Sequence, residues 1–194
     1  VGEVPLDRFT ESGVEHKVEL DQLVERNEGR SRVTVVNFWA ATCKPCLDEL
    51  PRFRRLWASR VGWNEEVRFI AVDTDDELGN PDYVVKFRQE MPEGAVFLLE
   101  DVQAGNSAIR ALRADGMVRA LGLPVTLIAD CQGRVRWIAR VGLKDAVLDG
   151  AFAAMVEALR VELSDPAMCA ACGDGACTAG ERCARSSCWR DCLD

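Results

Sequence analysis

The chain has 194 residues, 48% hydrophobic and 29% charged, a globular balance with length for one ordinary domain and a smaller addition. Its net charge of −8 argues against nucleic-acid binding, and no apolar run approaches the ~18 residues of a membrane-spanning helix. A single histidine, His16, argues against histidine-based nucleophilic catalysis and histidine-rich metal sites.

Residues 7–18 read as a hairpin, two short alternating runs around the turn-like Glu11-Ser12-Gly13. Residues 20–27 have room for one or two helical turns. The apolar, β-branched run Val33–Trp39 predicts a buried strand. A helix is expected over 43–60, because Leu47, Leu50, Phe53 and Trp57 recur at three- and four-residue spacing. Pro51 lies inside it and should kink the helix rather than end it, since the periodicity continues beyond.

Residues 67–73 predict another strand, and Asn80-Pro81 opens a helix to about residue 90. Ala95–Leu99 predicts a short strand, and 103–114 a helix that stops near Asp115-Gly116. Leu123–Ala129 predicts a strand, Asp130–Gly133 a turn, and Val135–Val141 the returning strand. A final amphipathic helix is expected over 143–162, where Gly150 costs roughly 1 kcal/mol relative to alanine. Strands alternating with helices imply an α/β core, and the closing hairpin makes the sheet mixed.

Ser164-Asp165-Pro166 breaks the last helix, and the composition then turns to Cys, Gly, Ala and Arg. The boundary is placed there, with one domain over 1–165 and a cysteine-rich module over 166–194. Six of the nine cysteines lie in the module: Cys169, Cys172, Cys177, Cys183, Cys188 and Cys192. So short a segment cannot bury a core and needs staples, so internal disulfides are the preferred reading over zinc held by thiolates. That density needs an oxidising compartment, hence export to a periplasm, cell surface or equivalent lumen. Asp174, Glu181 and Asp191 are candidate Ca²⁺ ligands, at a spacing that is not that of an EF-hand. Cys131, in the hairpin turn, has no obvious partner once the other eight are paired. It reads as a free thiol or as an intermolecular bridge.

Cys43-Lys44-Pro45-Cys46 carries the chemistry. A zinc site would need a second pair nearby, and the next CxxC, Cys169 to Cys172, is far along the chain. A purely structural disulfide is the second reading. A redox pair is the preferred one, because CxxC in a βαβ context is a redox signature. Cys43 falls at a helix N-terminus, where free N–H groups and the helix dipole stabilise a thiolate. Cys46, one turn later, faces inward. Cys43 is therefore the expected attacker and Cys46 the resolver. Lys44 adds a positive charge, and Pro45 stiffens the loop.

The segments "VVNFWAATCKPCLDELP" and "GLPVTLIADCQGRV" resemble the thioredoxin superfamily, and within it the extracytoplasmic thiol-disulfide oxidoreductases of the TlpA/ResA type. The resemblance covers most of residues 1–163. It rests on the CxPC motif, the Phe-Trp before it, the proline five residues after the second cysteine, and the late proline–apolar–threonine. It implies a thioredoxin-like fold, a mixed central sheet flanked by helices, working without a cofactor. It implies a cis Pro124 packed against the disulfide, with the Leu123 backbone presented to an extended substrate. Substrate contacts would come from Trp39, Thr42, Lys44, Pro45, Leu123 and Pro124.

Two positions depart from patterns common in the wider superfamily. Asn37 stands where thioredoxin proper has a buried aspartate, as is usual in TlpA/ResA-like proteins, and Thr42 stands where a tryptophan is common. An acid at the place of Glu49 is common in the TlpA/ResA type. A carboxylate near a partly buried thiol should have a raised pKa and raise the thiol's in turn, so Glu49 is the candidate proton donor and acceptor for Cys46. The competing reading is a solvated first-turn acid that complements the helix dipole, which suits Asp48 better. The tail resembles short cysteine-rich modules of secreted or surface proteins, especially of myxobacteria-like bacteria.

The expected function is an exported dithiol-disulfide oxidoreductase. The resemblance implies a reductant of exported thiol or disulfide proteins, recharged by a membrane-bound electron carrier. A non-catalytic binding scaffold with the tail as an interaction surface is the alternative. A peroxiredoxin-like peroxidase is weaker, since Thr42-Cys43 alone is too little of its motif.

Overall fold

The computed structural model describes residues 5–10, 13–19, 33–74, 87–100, 122–131 and 134–164. β1 (Pro5–Thr10) and β2 (Gly13–Glu19) form the expected antiparallel hairpin. β3 (Val33–Trp39) leads into α1 (Lys44–Ser59), the short α2 (Trp63–Glu66) and β4 (Val67–Asp73). β5 (Val96–Glu100), β6 (Val125–Asp130) and β7 (Val135–Ala139) complete one seven-stranded sheet of order β2-β1-β5-β4-β3-β6-β7. β3, β4 and β5 are parallel neighbours, and the other pairs are antiparallel. The mixed α/β architecture is as expected.

β3 is buried along its whole length because layers cover both of its faces. Strand alternation sends Val33, Val35 and Trp39 to one face and Val36 and Phe38 to the other. On the first face α1 lays down Leu50, Phe53, Leu56 and Trp57. Phe53, Trp57, Trp63, Phe69 and Phe152 pack there at angled ring contacts, with Trp57 and Trp63 centroids 4.7 Å apart. Such pairs add about 0.5–1.5 kcal/mol each beyond the area they bury. On the second face Ile70, Val72, Leu98, Val125 and Leu127 form a separate cluster.

α1 runs through Pro51 without ending. The proline has no N–H to give, but Phe53, Leu56 and Trp57 beyond it are buried and hold the helix on the sheet. At the sheet edge, the buried Asp130 accepts from Arg134 at 2.9 Å and Arg136 at 3.1 Å, and Arg136 also pairs with Glu162.

Two expectations are corrected. The last helix is not uniform: α3 (Asp145–Val147) passes into a π-helical turn, Leu148–Phe152, and then α4 (Ala153–Glu162). The wider turn holds Leu148 and Phe152 on the buried side, and Gly150 lies within it facing open space. Cys131 is not a free thiol but is disulfide-bonded, with its partner outside the described residues. Chain order alone gives no sign of which segment approaches that turn.

The helical turns of 20–27, most of the helix expected from Asn80, the 103–114 helix and the whole 166–194 module lie outside the described residues. So do the domain boundary, Cys169, Cys172, Cys177, Cys183, Cys188, Cys192 and the candidate Ca²⁺ ligands. Among the described residues, no helix is long and apolar enough to cross a membrane.

Candidate active site

The loop after β3 turns at residues 40–42 and delivers Cys43 as the N-cap of α1, in extended conformation. Its sulfur accepts from the Cys46 N–H at 3.3 Å. Negative charge on that sulfur would strengthen the bond, and the dipole of the 16-residue helix adds to it. Pro45 sits in the first turn, where a missing N–H costs nothing. Cys43 and Cys46 are joined by a disulfide with Cα atoms 5.3 Å apart. Cys43 is half-buried and Cys46 fully buried. Cys43 is therefore partly open to solvent and Cys46 is not.

Leu123-Pro124 is a cis peptide just before β6, as the resemblance implied. Pro124 is buried and Leu123 half-buried against both core clusters.

Glu49 follows Cys46 by three residues, hence on nearly the same side of α1. Its side chain is 1% exposed. Three donors converge on its carboxylate. Asn37 Nδ2 and Thr126 Oγ1 each reach Oε1 at 3.1 Å, and the Leu143 N–H reaches Oε2 at 2.8 Å. The sheet register explains the first two, since Asn37 and Thr126 are direct partners across β3 and β6. The third comes from the loop after β7, which α1 pins twice more. Arg52 donates to the Leu143 carbonyl at 3.0 Å, and Asp145 lies 3.5 Å from both Arg52 and Arg55.

Burial raises the Glu49 pKa from 4.5 to about 7, against the opposing pull of the Leu143, Thr126 and Asn37 hydrogen bonds and of the Arg52 charge. The desolvation cost wins over three hydrogen bonds and a cation. Glu49 is thus poised to change protonation near neutral pH beside a buried cysteine.

Thr42, Lys44 and Pro45 are exposed around Cys43. Lys44 reaches Asp48 at 3.2 Å, one helical turn on, so its charge is shared with that carboxylate. Asp48 lies in the second turn of α1, not the first, and the first turn holds no acid. Trp39 is corrected as a substrate contact. It is fully buried and packs edge-on against Phe87 and Phe97, with centroids 5.0 and 5.6 Å away. It supports the loop from beneath.

Asn37, Thr126 and the Gly142-Leu143 segment are site residues that the sequence reading did not assign. Asn37 had a signal, since alternation places it on the same face as Val35 and Trp39, under α1. Thr126 had one in the proline–apolar–threonine order. Leu143 acts through its backbone and had none. A Cβ on Gly142 would meet Pro45 Cβ at 3.5 Å and Glu49 Oε2 at 3.6 Å, so this loop closes directly over the acid. Among the described residues no cluster of three or more His, Cys, Asp or Glu side chains could hold a metal ion.

A half-buried and a buried cysteine bridged at a helix N-terminus, with a cis proline leading into a strand of the same mixed sheet, mark a thioredoxin-like fold. The chain belongs to the AhpC/TSA family, whose model matches residues 5–138. Solved structures of the same fold include a Chlorobium tepidum protein assigned as the thiol:disulfide interchange protein DsbE. It is 21% identical, with a TM-score of 0.51, over 81% of this chain and 95% of that one. A thiol-disulfide isomerase from Corynebacterium glutamicum is 16% identical, with a TM-score of 0.55, over 82% and 94%. The exposed lipoprotein thioredoxin Etrx1 of Streptococcus pneumoniae is 13% identical, with a TM-score of 0.50, over 79% and 98%. At these identities the likeness speaks for the fold.

Proposed function

We propose that the protein is an exported thiol-disulfide oxidoreductase of the TlpA/ResA type, acting as a reductant of exported thiol or disulfide proteins. The observation that carries this reading is the buried Glu49 one turn from the buried Cys46 of the Cys43–Cys46 pair. In the reduced form the Cys43 thiolate attacks a substrate disulfide. One substrate sulfur leaves with the electron pair, and a mixed disulfide forms. Cys46 then loses its proton to the Glu49 carboxylate and attacks the Cys43 sulfur. The Cys43–Cys46 bond forms, the second substrate sulfur departs, and the substrate is reduced by two electrons while the enzyme is oxidised by two.

Thr42, Lys44, Pro45 and the Leu123 backbone are the proposed substrate contacts, Leu123 pairing with an extended chain as an added strand would. Nine cysteines, six of them in 24 residues, support an oxidising compartment. A membrane-bound electron carrier would restore the dithiol. The residues after 165 form the proposed cysteine-rich module, in which Cys169, Cys172, Cys177, Cys183, Cys188 and Cys192 are the cysteines left to pair, one of them with Cys131.

The test is reduction of insulin by dithiothreitol with catalytic amounts of protein. Turnover that Cys43→Ser reduces to background is expected. Equal rates with and without Cys43, or none from the wild type, would leave a binding scaffold as the better reading. Titration of the Cys43–Cys46 couple against glutathione then gives the direction of electron flow.

A further inference from the structure

Asn37 and Thr126 are the uncharged side chains that hold the Glu49 carboxylate, and nothing in the exchange chemistry above uses them. All three hydrogen bonds reaching Glu49 are donated to it, which suits the ionised acid. The protonated acid has a hydrogen of its own to place, in a site where its side chain is 1% exposed. A backbone N–H cannot turn round to accept it. A hydroxyl can. Thr126 Oγ1 lies 3.1 Å from Oε1, and Asn37 Nδ2 donates to that same hydroxyl at 3.0 Å. The other end of that amide, Asn37 Oδ1, is buried and has no hydrogen-bond partner among the described residues.

We propose that the Asn37–Thr126 pair is a reversible hydrogen-bond switch that holds Glu49 in both protonation states, Thr126 donating to the ionised acid and accepting from the protonated one. The inference rests on the reading of Glu49 as the proton acceptor of Cys46. The proton stays on Glu49 throughout. When Cys46 gives it up, its S–H bond breaks and a Glu49 O–H bond forms. The Thr126 hydroxyl then rotates, turning its hydrogen away and freeing its oxygen to accept, while Asn37 Nδ2 goes on donating to that oxygen. Thr126 is a positioning residue: it acts through Glu49.

The groups around the acid leave this pair to set its behaviour. Its own helix contributes the Arg52 charge and Cys46, β3 contributes Asn37, β6 contributes Thr126, and the loop after β7 contributes the Leu143 N–H. Lys144, next in that loop, is exposed, and Asp145 is paired with Arg52.

The experiment is a carbon-detected NMR titration of the Glu49 carboxyl in the oxidised protein, with the wild type, Thr126→Val, Thr126→Ser and Glu49→Gln. Valine matches the shape of threonine but cannot donate to the ionised form. It loses the bond to each form, and because the one to the charged acid is the stronger, the proton affinity of Glu49 in the valine variant should rise several-fold. Serine should restore the wild-type midpoint. In the wild type, where folding is not at issue, the Thr126 side-chain resonances should follow the Glu49 midpoint. A midpoint that Thr126→Val leaves in place, or Thr126 resonances that do not follow Glu49, would overturn the switch. Reading the pH profile of single-turnover exchange alongside separates the two ideas. If Glu49→Gln removes its neutral limb while Thr126→Val leaves that limb unmoved, the switch fails and the relay stands. If Glu49→Gln leaves the limb intact, the relay fails and the switch with it.

Discussion

Asn37 and Thr126 face each other across the β3–β6 ladder, and both reach the same oxygen of Glu49, at 3.1 Å each. The strands that build the sheet therefore also build the acid site. Glu49 arrives from the helix above and Cys46 lies one turn before it, so an acid and a cysteine are buried one turn apart on α1.

That burial has a consequence for stability. In the unfolded chain Glu49 titrates near 4.5, and in the folded protein at about 7. Between these values the folded state holds a proton that the unfolded state has lost, so stability falls as pH rises through the window. The loss is about 3 kcal/mol, absent below pH ~4.5 and complete above pH ~7. Denaturant unfolding of oxidised wild type and Glu49→Gln, at about pH 4 and about pH 8, should give a stability difference that shifts by this amount toward the variant at the higher pH. A difference that stays constant would mean an ordinary acid.

The unequal exposure of the two cysteines predicts unequal variants. Cys46→Ser should keep the attacking sulfur and lose the resolving one, so it accumulates a stable mixed disulfide with an oxidised substrate, visible as added mass. Cys43→Ser should form no such adduct. Adducts forming equally on both variants would remove the attacker–resolver assignment.

Phe53 is fully buried between Trp57, Phe69 and Phe152. Phe53→Ala should cost about 3–5 kcal/mol through lost burial and the cavity left behind. Thermal unfolding measures this. A loss below about 1 kcal/mol would show that the aromatic layer can collapse around the gap.

Cys131 is disulfide-bonded. Peptide mapping of protein alkylated without reduction should recover Cys131 only in a cross-linked fragment, distinct from that of Cys43 and Cys46. An alkylated Cys131 peptide would contradict the bond.

Local signals in the chain were enough for the strands and the redox motif. The run Val33–Trp39 reads as a strand because β-branched and aromatic residues crowd a pleated backbone well. The helix after Cys43 reads from its apolar spacing, and Cys43 as an N-cap follows from where that helix begins. Glu49 was legible as a candidate through its three-residue offset from Cys46. The contrast with Asp48 was legible too, though its pairing with Lys44 was not.

Contacts between distant segments were a different matter. Trp39 looked like a surface contact because it adjoins the motif, yet Phe87 and Phe97 bury it, and neither is near it in the chain. The π-helical turn at Leu148–Phe152 answers to packing that no propensity encodes. The amino-acid order thus settled which groups carry the chemistry and which elements present them, because periodicity and capping are local. Folding in three dimensions settled how those groups behave. Asn37, Thr126 and the Leu143 N–H come from three separate segments, and the Glu49 pKa near 7 exists only once they and the surrounding core have excluded water from it.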